Sequence, residues 1–198
     1  KKQIYDSRIL TTRSVVEALP SDTNLTLCSA SGAGYYGSRG DDILKEDESA
    51  GSDFLAGVSK DWEQEAMRAS AKGVRVAIMR FGVILGKNGG AMSKLIPPFK
   101  MFVGGPLGDG NQWFPWLHLD DLMAAIEFVL DHQEVSGPLN FCGPDPVRNR
   151  ELAQALGDAL GRPSFMPAPA FMIRLVTGEF GDVFLGSQRT LPAKLLNH

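Results

Sequence analysis

Few side chains in this 198-residue sequence stand in patterns that could do chemistry, and several of them share one stretch. Ser29 and Ser31 close a short apolar run, and the glycine-rich turn that follows carries Tyr35 and Tyr36 in Gly34-Tyr35-Tyr36-Gly37. A hydroxyl at such a strand end could donate a hydrogen bond to a substrate oxygen, or satisfy the backbone of its own turn. A tyrosine there could act as acid or base toward a hydroxyl or carbonyl, or pack its ring and turn its hydroxyl to water. Lys60 lies near the border of the face that Val58 and Trp62 set. It is either a positive charge for a ligand or a helix-surface lysine paired with an acid. Arg8, in Asp6-Ser7-Arg8, could grip a pyrophosphate or carboxylate with two N–H bonds, or cap or salt-bridge its helix.

Two further segments could bind. Lys87-Asn88-Gly89-Gly90 precedes a predicted helix, where free N–H groups and a lysine can hold an anion; a glycine-rich helix entry explains it equally. Asp109-Gly110-Asn111-Gln112-Trp113 sets polar groups beside an aromatic, as a sugar or nucleotide site needs, or is a loop packed on Trp113 and Trp116. His118, His132 and His198 are scattered, without H-x-x-x-H or a nearby cysteine, so no metal site is expected. His118 is expected to cap the helix opened by Asp120-Asp121. No G-x-S-x-G elbow supports a hydrolase triad.

The elements that must position these residues follow from periodicity. Ile9, Val15, Val16 and Leu19 recur at helical spacing before Pro20. Residues 24–30 read as a strand, and Ser52 or Asp53 caps a helix reaching Lys72, with Phe54, Val58, Trp62, Ala66 and Ala69 as its stripe and Gly73 after it. Val74–Arg80 is a β-branched strand. A helix from Gly90 to Met101 is expected to be interrupted at Pro97-Pro98. A loop follows over 103–116, then a helix from Asp120, a strand over 138–142, a helix capped by Asn149 and ending at Gly161, and an apolar helix near 170–176. This alternation predicts a parallel sheet with crossover helices and ligands at its strand ends, residues 24–30 and 74–80 forming neighbouring strands.

Composition narrows the function. With 20 Lys+Arg against 23 Asp+Glu the net charge is −3, which makes no electrostatic case for nucleic acid or an anionic membrane. Two cysteines, Cys28 and Cys142, build neither a disulfide framework nor a zinc site, and fit a reducing, cytoplasmic setting. The most apolar window, Val74–Leu85, contains Arg75 and Arg80 and is too short to span a bilayer.

Ser29-Ala30-Ser31-Gly32-Ala33-Gly34-Tyr35-Tyr36-Gly37 resembles the strand-end segment of extended short-chain dehydrogenase/reductases, Arg80–Gly86 their next strand end, and Trp116–Leu122 their following helix start. Taken with RFGVILGKNGGAMSKLIPPFK and GPLNFCGPDPVRNRE, the chain is similar over nearly its whole length to atypical NAD(P)-binding epimerase-family proteins, often labelled nucleoside-diphosphate-sugar epimerases. The resemblance implies an α/β Rossmann-like parallel sheet, incomplete on its N-terminal side, over residues 1–136, and a small α-rich C-terminal portion over 137–198 that covers the substrate. It implies NAD or NADP as cofactor, with NADP favoured. Ser31, Tyr35 and Lys60 would be catalytic. Arg8, Ser29, Lys60, Phe81, Gly82 and Val83 would meet the cofactor, and Lys87, Asn111, Gln112 and Trp113 the substrate. The partners expected are a small-molecule substrate and, at most, a second copy in a homodimer.

Two departures accompany the resemblance. Family members begin with a Rossmann half bearing a glycine-rich phosphate turn that opens a helix; Gly32-Ala33-Gly34-Tyr35-Tyr36-Gly37 follows a strand with the G-x-G-x-x-G spacing, but no helix is expected directly after it, so it does not read as that turn. The chain therefore reads as a part of a longer protein that would hold NAD(P)H weakly by itself. The superfamily's Tyr-x-x-x-Lys is also broken, because Ala56 stands four residues before Lys60. The expected activity is NAD(P)-dependent redox or epimerase chemistry on a carbonyl or hydroxyl, for example of a nucleotide sugar, with Ser31 polarising the oxygen. The rival is a degenerate cofactor-binding regulator.

Overall fold

The computed structural model describes residues 1–22, 24–87, 89–177 and 181–198. In chain order the elements are α1 (Lys2–Ala18), β1 (Thr26–Gly32), a 3-10 turn (Ala33–Tyr36), β2 (Ile43–Leu44), α2 (Phe54–Met67), a second 3-10 turn (Arg68–Lys72), β3 (Arg75–Phe81), β4 (Val83–Gly86) and β5 (Gly89–Gly90). They continue with α3 (Met92–Lys100), β6 (Trp113–Phe114), β7 (Trp116–His118), α4 (Leu119–Asp131), β8 (Gly137–Phe141), β9 (Val147–Arg148), α5 (Asn149–Leu160), α6 (Ala170–Thr177), α7 (Gly181–Leu185), β10 (Arg189–Thr190) and α8 (Ala193–Asn197).

The main sheet is parallel in the order β1-β3-β8, which bears out the expected pairing of the first two strands; β1 lies at its edge. Alternate β3 residues face opposite layers. Val76 and Ile78 pack with Val16 of α1 and Ala66 of α2, while Ala77 and Met79 pack with Val129 of α4, Leu139 and Phe141. This two-sided burial is why β3 reads as a nearly continuous apolar run. A third cluster, Phe99, Ala153 and Leu156, joins α3 to α5. The expected boundary at residue 136 falls just before β8, the third strand of the sheet.

Several local expectations change. Val15 and Phe54 point outward, because the layers use Ile9 and Val16 of α1 and Ala56, Val58 and Ala66 of α2 instead. The strand expected over 24–30 runs from 26 to 32, which brings Ser31 into the ladder. Pro97 and Pro98 lie inside α3 without interrupting it. Each forfeits one helical N–H, and burial of Phe99 against α5 compensates. Asn149 is the first residue of α5 and not its cap; its Oδ1 accepts from the Leu107 N–H at 2.7 Å, anchoring the 101–112 loop. His118 does cap α4, its Nδ1 accepting from the Asp120 N–H at 3.2 Å.

Candidate functional site

The C-terminal ends of the three parallel strands carry a polar row. Register puts Ser31 beside Arg80 and Arg80 beside Asn140, so all three project to one face of the sheet. All three are buried, as is Glu63, which α2 brings over the same face. Arg80 grips Glu63 with both edges of its fork, Nε to Oε1 at 2.9 Å and Nη2 to Oε2 at 2.8 Å. Burial works against the Arg80 charge, but the Glu63 pair keeps its pKa above the usual arginine value. The Ser31 hydroxyl donates to Glu63 Oε1 at 2.7 Å. A carboxylate oxygen only accepts, so the Ser31 proton lies on this bond and a substrate oxygen would meet a Ser31 lone pair.

The two neighbouring tyrosines take different parts. Tyr36 is fully buried; its hydroxyl accepts from Arg80 Nη1 at 2.9 Å and donates to Asn140 Oδ1 at 2.7 Å, with the Lys45 carbonyl at 3.0 Å. Burial pushes its pKa up to about 12 despite Arg80. Asn140 donates in turn to the carbonyls of Leu44 and Leu191, and its N–H reaches buried Glu46. Tyr35 is half-buried, its ring centroid 3.5 Å from the Arg80 guanidinium carbon and edge-on to Tyr36. Arg80 therefore fixes the Tyr35 ring from beneath.

The remaining expected residues lie as follows. Ser29 is buried on the same β1 face as Ser31. Lys60 is exposed on α2, one position beyond Ser59, and Ala56, four residues before it, has no exposed surface. Arg8 is exposed on α1 with its guanidinium 5.2 Å from the Trp62 ring. Phe81 turns to the opposite layer, edge-on to Phe141. Gly82 bridges β3 and β4; an added Cβ would meet the Pro115 carbonyl oxygen at 2.8 Å, so the close passage requires glycine. Val83 pairs with Trp116. Lys87 is exposed in the turn before β5, and Asn88 lies outside the described residues.

A second polar cluster surrounds the 101–112 loop and β6. Gln112 turns inward, donating to the carbonyls of Leu107 and Phe184. Asn111 is exposed and accepts from Arg150 through Oδ1 at 2.7 Å. The Trp113 indole N–H donates to Asp41 at 2.6 Å, and the guanidinium carbons of Arg148 and Arg189 lie 4.4 and 4.5 Å from its ring. Hydrogen bonds from Trp113 and then Arg148 hold the Asp41 carboxyl below its usual pKa. Reading by motif passes over Glu63, Arg80, Asn140, Arg148 and Arg189. The signal for the first two is present, since a charge inside an apolar strand and a glutamate two turns beyond Ala56 on α2 each need a buried partner.

A family model described as "NAD dependent epimerase/dehydratase family" matches residues 1–141. The chain belongs to this family. Residues 168–198 match a model described as "Domain of unknown function (DUF1731)". Among curated relatives, "Epimerase family protein SDR39U1 homolog, chloroplastic" of Arabidopsis thaliana is 44% identical over 198 residues, 98% of this chain and 57% of the relative. "Epimerase family protein SDR39U1" of Mus musculus is 36% identical, covering 99% and 68%. The chain spans about three-fifths of the length of the first curated relatives. The structure of human epimerase family protein SDR39U1 with NADPH matches at TM-score 0.89 and 32% identity, over 98% of this chain and 66% of that one. A structure described as the nucleoside-diphosphate sugar epimerase from Corynebacterium glutamicum matches at 0.80 and 37%, over 99% and 39%.

The family's dinucleotide can be tested against the residues present. At the end of β1, a Cβ on Gly34 would meet nothing within 4 Å, leaving an open floor beside the ordered Ser31–Tyr35 segment. That suits the nicotinamide end. The G-x-G-x-x-G spacing of Gly32–Gly37 runs into the 3-10 turn Ala33–Tyr36, and the next α-helix begins only at Phe54, so this turn offers no helix N-terminus to cradle a pyrophosphate. Among the described residues, no helix is long and apolar enough to cross a membrane.

Proposed function

We propose that the strand-end crevice holds the nicotinamide end of NADPH and presents to it the carbonyl or hydroxyl of a small molecule, with nucleotide sugars as the substrate class. When bound, the reduced nicotinamide supplies a hydride to a carbonyl carbon, while the carbonyl oxygen takes a proton. The chain's own residues hold and prepare the oxygen. Tyr35, beside the row and supported on Arg80, carries the proton. Ser31 accepts a hydrogen bond from a hydroxyl of the ligand, because Glu63 takes its own proton. Lys60 meets the ribose hydroxyls, Ser29 and the backbone at Phe81, Gly82 and Val83 line the ring, and Arg8 lies toward the pyrophosphate side. Asn111, Trp113 and Lys87 face the substrate, and the C-terminal portion that follows β8 closes over it. The observation that carries this reading is the in-register row Ser31–Arg80–Asn140, buried at the strand ends of a family built around a nicotinamide cofactor. NADPH preference is supported by the ligand of the human neighbour.

One observation favours a second reading, a binding or sensor protein without turnover. Ala56 occupies the helix position where the superfamily has its tyrosine, and it is fully enclosed, so this position supplies no proton. Stopped-flow absorbance at the NADPH band with candidate keto-sugar nucleotides separates the two. The enzyme reading expects NADPH consumption, lost at least a hundredfold in Tyr35→Phe with the NADPH Kd changed less than twofold. NADPH binding without consumption would leave the sensor reading, and Tyr35→Phe with full turnover would remove Tyr35 from the chemistry.

A further inference from the structure

The net charge of −3 is unevenly spread. Residues 92–108 include Lys94 and Lys100 and no Asp or Glu, and residues 161–169 include Arg162 and again no acid. The fold lays these two segments side by side. The Met166 N–H donates to the Gly104 carbonyl at 3.2 Å, Leu107 and Ala168 form a parallel bridge, and the Arg162 guanidinium carbon lies 4.5 Å from the centre of the Phe102 ring. All three cations are exposed, and none makes an ion pair among the described residues. The acids at the segment borders turn elsewhere: Asp109 accepts from Asn111 and Asp158 from Gln154. Among the cations, Met101, Phe102 and Val103 are 44–64% exposed, and Phe165 and Met166 beside them are exposed too. Three consecutive exposed residues make a protruding tip, because one face of a helix or strand does not present three neighbours together. The tip is also held. Phe102 has φ +62°, a left-handed backbone that is costly for an aromatic residue; its N–H donates to the Phe99 carbonyl at 2.9 Å, and Phe99 is buried against α5. Exposed apolar side chains gathered in one patch, unlike scattered ones, mark a contact surface.

We propose that this tip seats the protein on an anionic bilayer surface, with Met101, Phe102 and Val103 entering the acyl boundary while Lys100 and Arg162 meet lipid phosphates. Phe165 and Met166 widen the apolar contact, and Lys94 adds to the charge around it. A fluid phase can surround a protruding tip on all sides, whereas a folded partner meets one face. The charge pattern selects the lipid: a surface of cations without neighbouring carboxylates is drawn to anionic headgroups and gains little from neutral ones. The contact lies on the membrane and does not cross it, and it goes beyond the cofactor chemistry of the strand-end crevice.

The test is flotation of the protein with vesicles of phosphatidylcholine and phosphatidylglycerol and, separately, with vesicles of phosphatidylcholine alone. Binding to the anionic vesicles is expected, with binding to the neutral ones weaker by about tenfold or more. Phe102→Gly removes the ring and suits the positive φ, so the variant should fold, as circular dichroism checks, while vesicle binding falls by about tenfold or more. The double variant Lys100→Gln with Arg162→Gln should abolish the preference for anionic lipid. Met123→Asp, on the exposed side of α4 and outside both segments, should change nothing. No binding to either vesicle, or equal binding by the wild type and Phe102→Gly, overturns the proposal. Self-association that Phe102→Gly abolishes, without vesicle binding, would give the tip to a second copy of the chain and overturn it as well.

Discussion

Glu63 serves three donors at once: Ser31 and two nitrogens of Arg80. Both members of the ion pair are buried, with side-chain exposures of 2% for Arg80 and 8% for Glu63. Such a pair gains little over apolar packing when intact, but breaking it leaves an unpaired charge in a dry interior. Glu63→Ala should therefore destabilise the fold by about 3–5 kcal/mol, measured by urea unfolding. It should also free the Tyr35 ring, because Arg80 loses the partner that holds it flat. A loss below about 1 kcal/mol would show that water or Glu46 replaces the carboxylate, and that the row is not the rigid support assigned to it.

Two cations bordering β3 tie the sheet to its helices. Lys72, just before the strand, donates through Nζ to the carbonyls of Val16, Glu17 and Leu19 at 2.7–2.8 Å, finishing α1. Arg75, inside the strand, donates from Nη1 to the carbonyls of Val129, His132 and Val135, finishing α4 on the other face. The last turn of a helix leaves carbonyls without partners, and a cation placed there completes them and opposes the dipole. Lys72→Met should cost about 1–2 kcal/mol and Arg75→Met about 2–3 kcal/mol, because Arg75 also holds Thr26 and the Leu130 carbonyl. Hydrogen exchange should locate the first loss in the end of α1 and the second in the end of α4. Uniform loosening across both helices would contradict these separate roles.

At the scale of the whole molecule, alkaline pH is the weak side. Burial raises the Tyr36 pKa from 10.0 to about 12 and the Cys142 pKa from 9.0 to about 12. Both groups are neutral when protonated or nearly so in the fold, and the unfolded chain ionises them first. Their contribution is thus complete below about pH 9, and is lost as pH rises through 9–12. The size is on the order of 2–4 kcal/mol per group if each shift is taken whole. Cys142→Ala should flatten the stability profile from its lower end near pH 9, and Tyr36→Phe from near pH 10. Equal slopes in wild type and both variants would mean that other groups govern alkaline unfolding.

The amino-acid sequence by itself determined the layers and the parallel strand pair. Periodicity records which side of each element meets apolar neighbours, and β3, α2 and α4 report it directly. Capping was equally legible where a side chain acts on its own turn, as His118 does. The family likeness was readable too, since Ser31, Tyr35 and the Gly82 passage lie in continuous motifs. What only the tertiary structure decided is which polar groups share protons and charge. Register aligned Ser31, Arg80 and Asn140 across three strands, and α2 then supplied Glu63, so the serine marked as a donor instead presents a lone pair. Lys60 reads as equally suited to a ligand or to solvent until the helix phase exposes it, one residue from the inward face. The Trp113 cluster had no signature, because residues 41, 113, 148 and 189 come together through short strand pairs whose partners are set by packing of the whole chain.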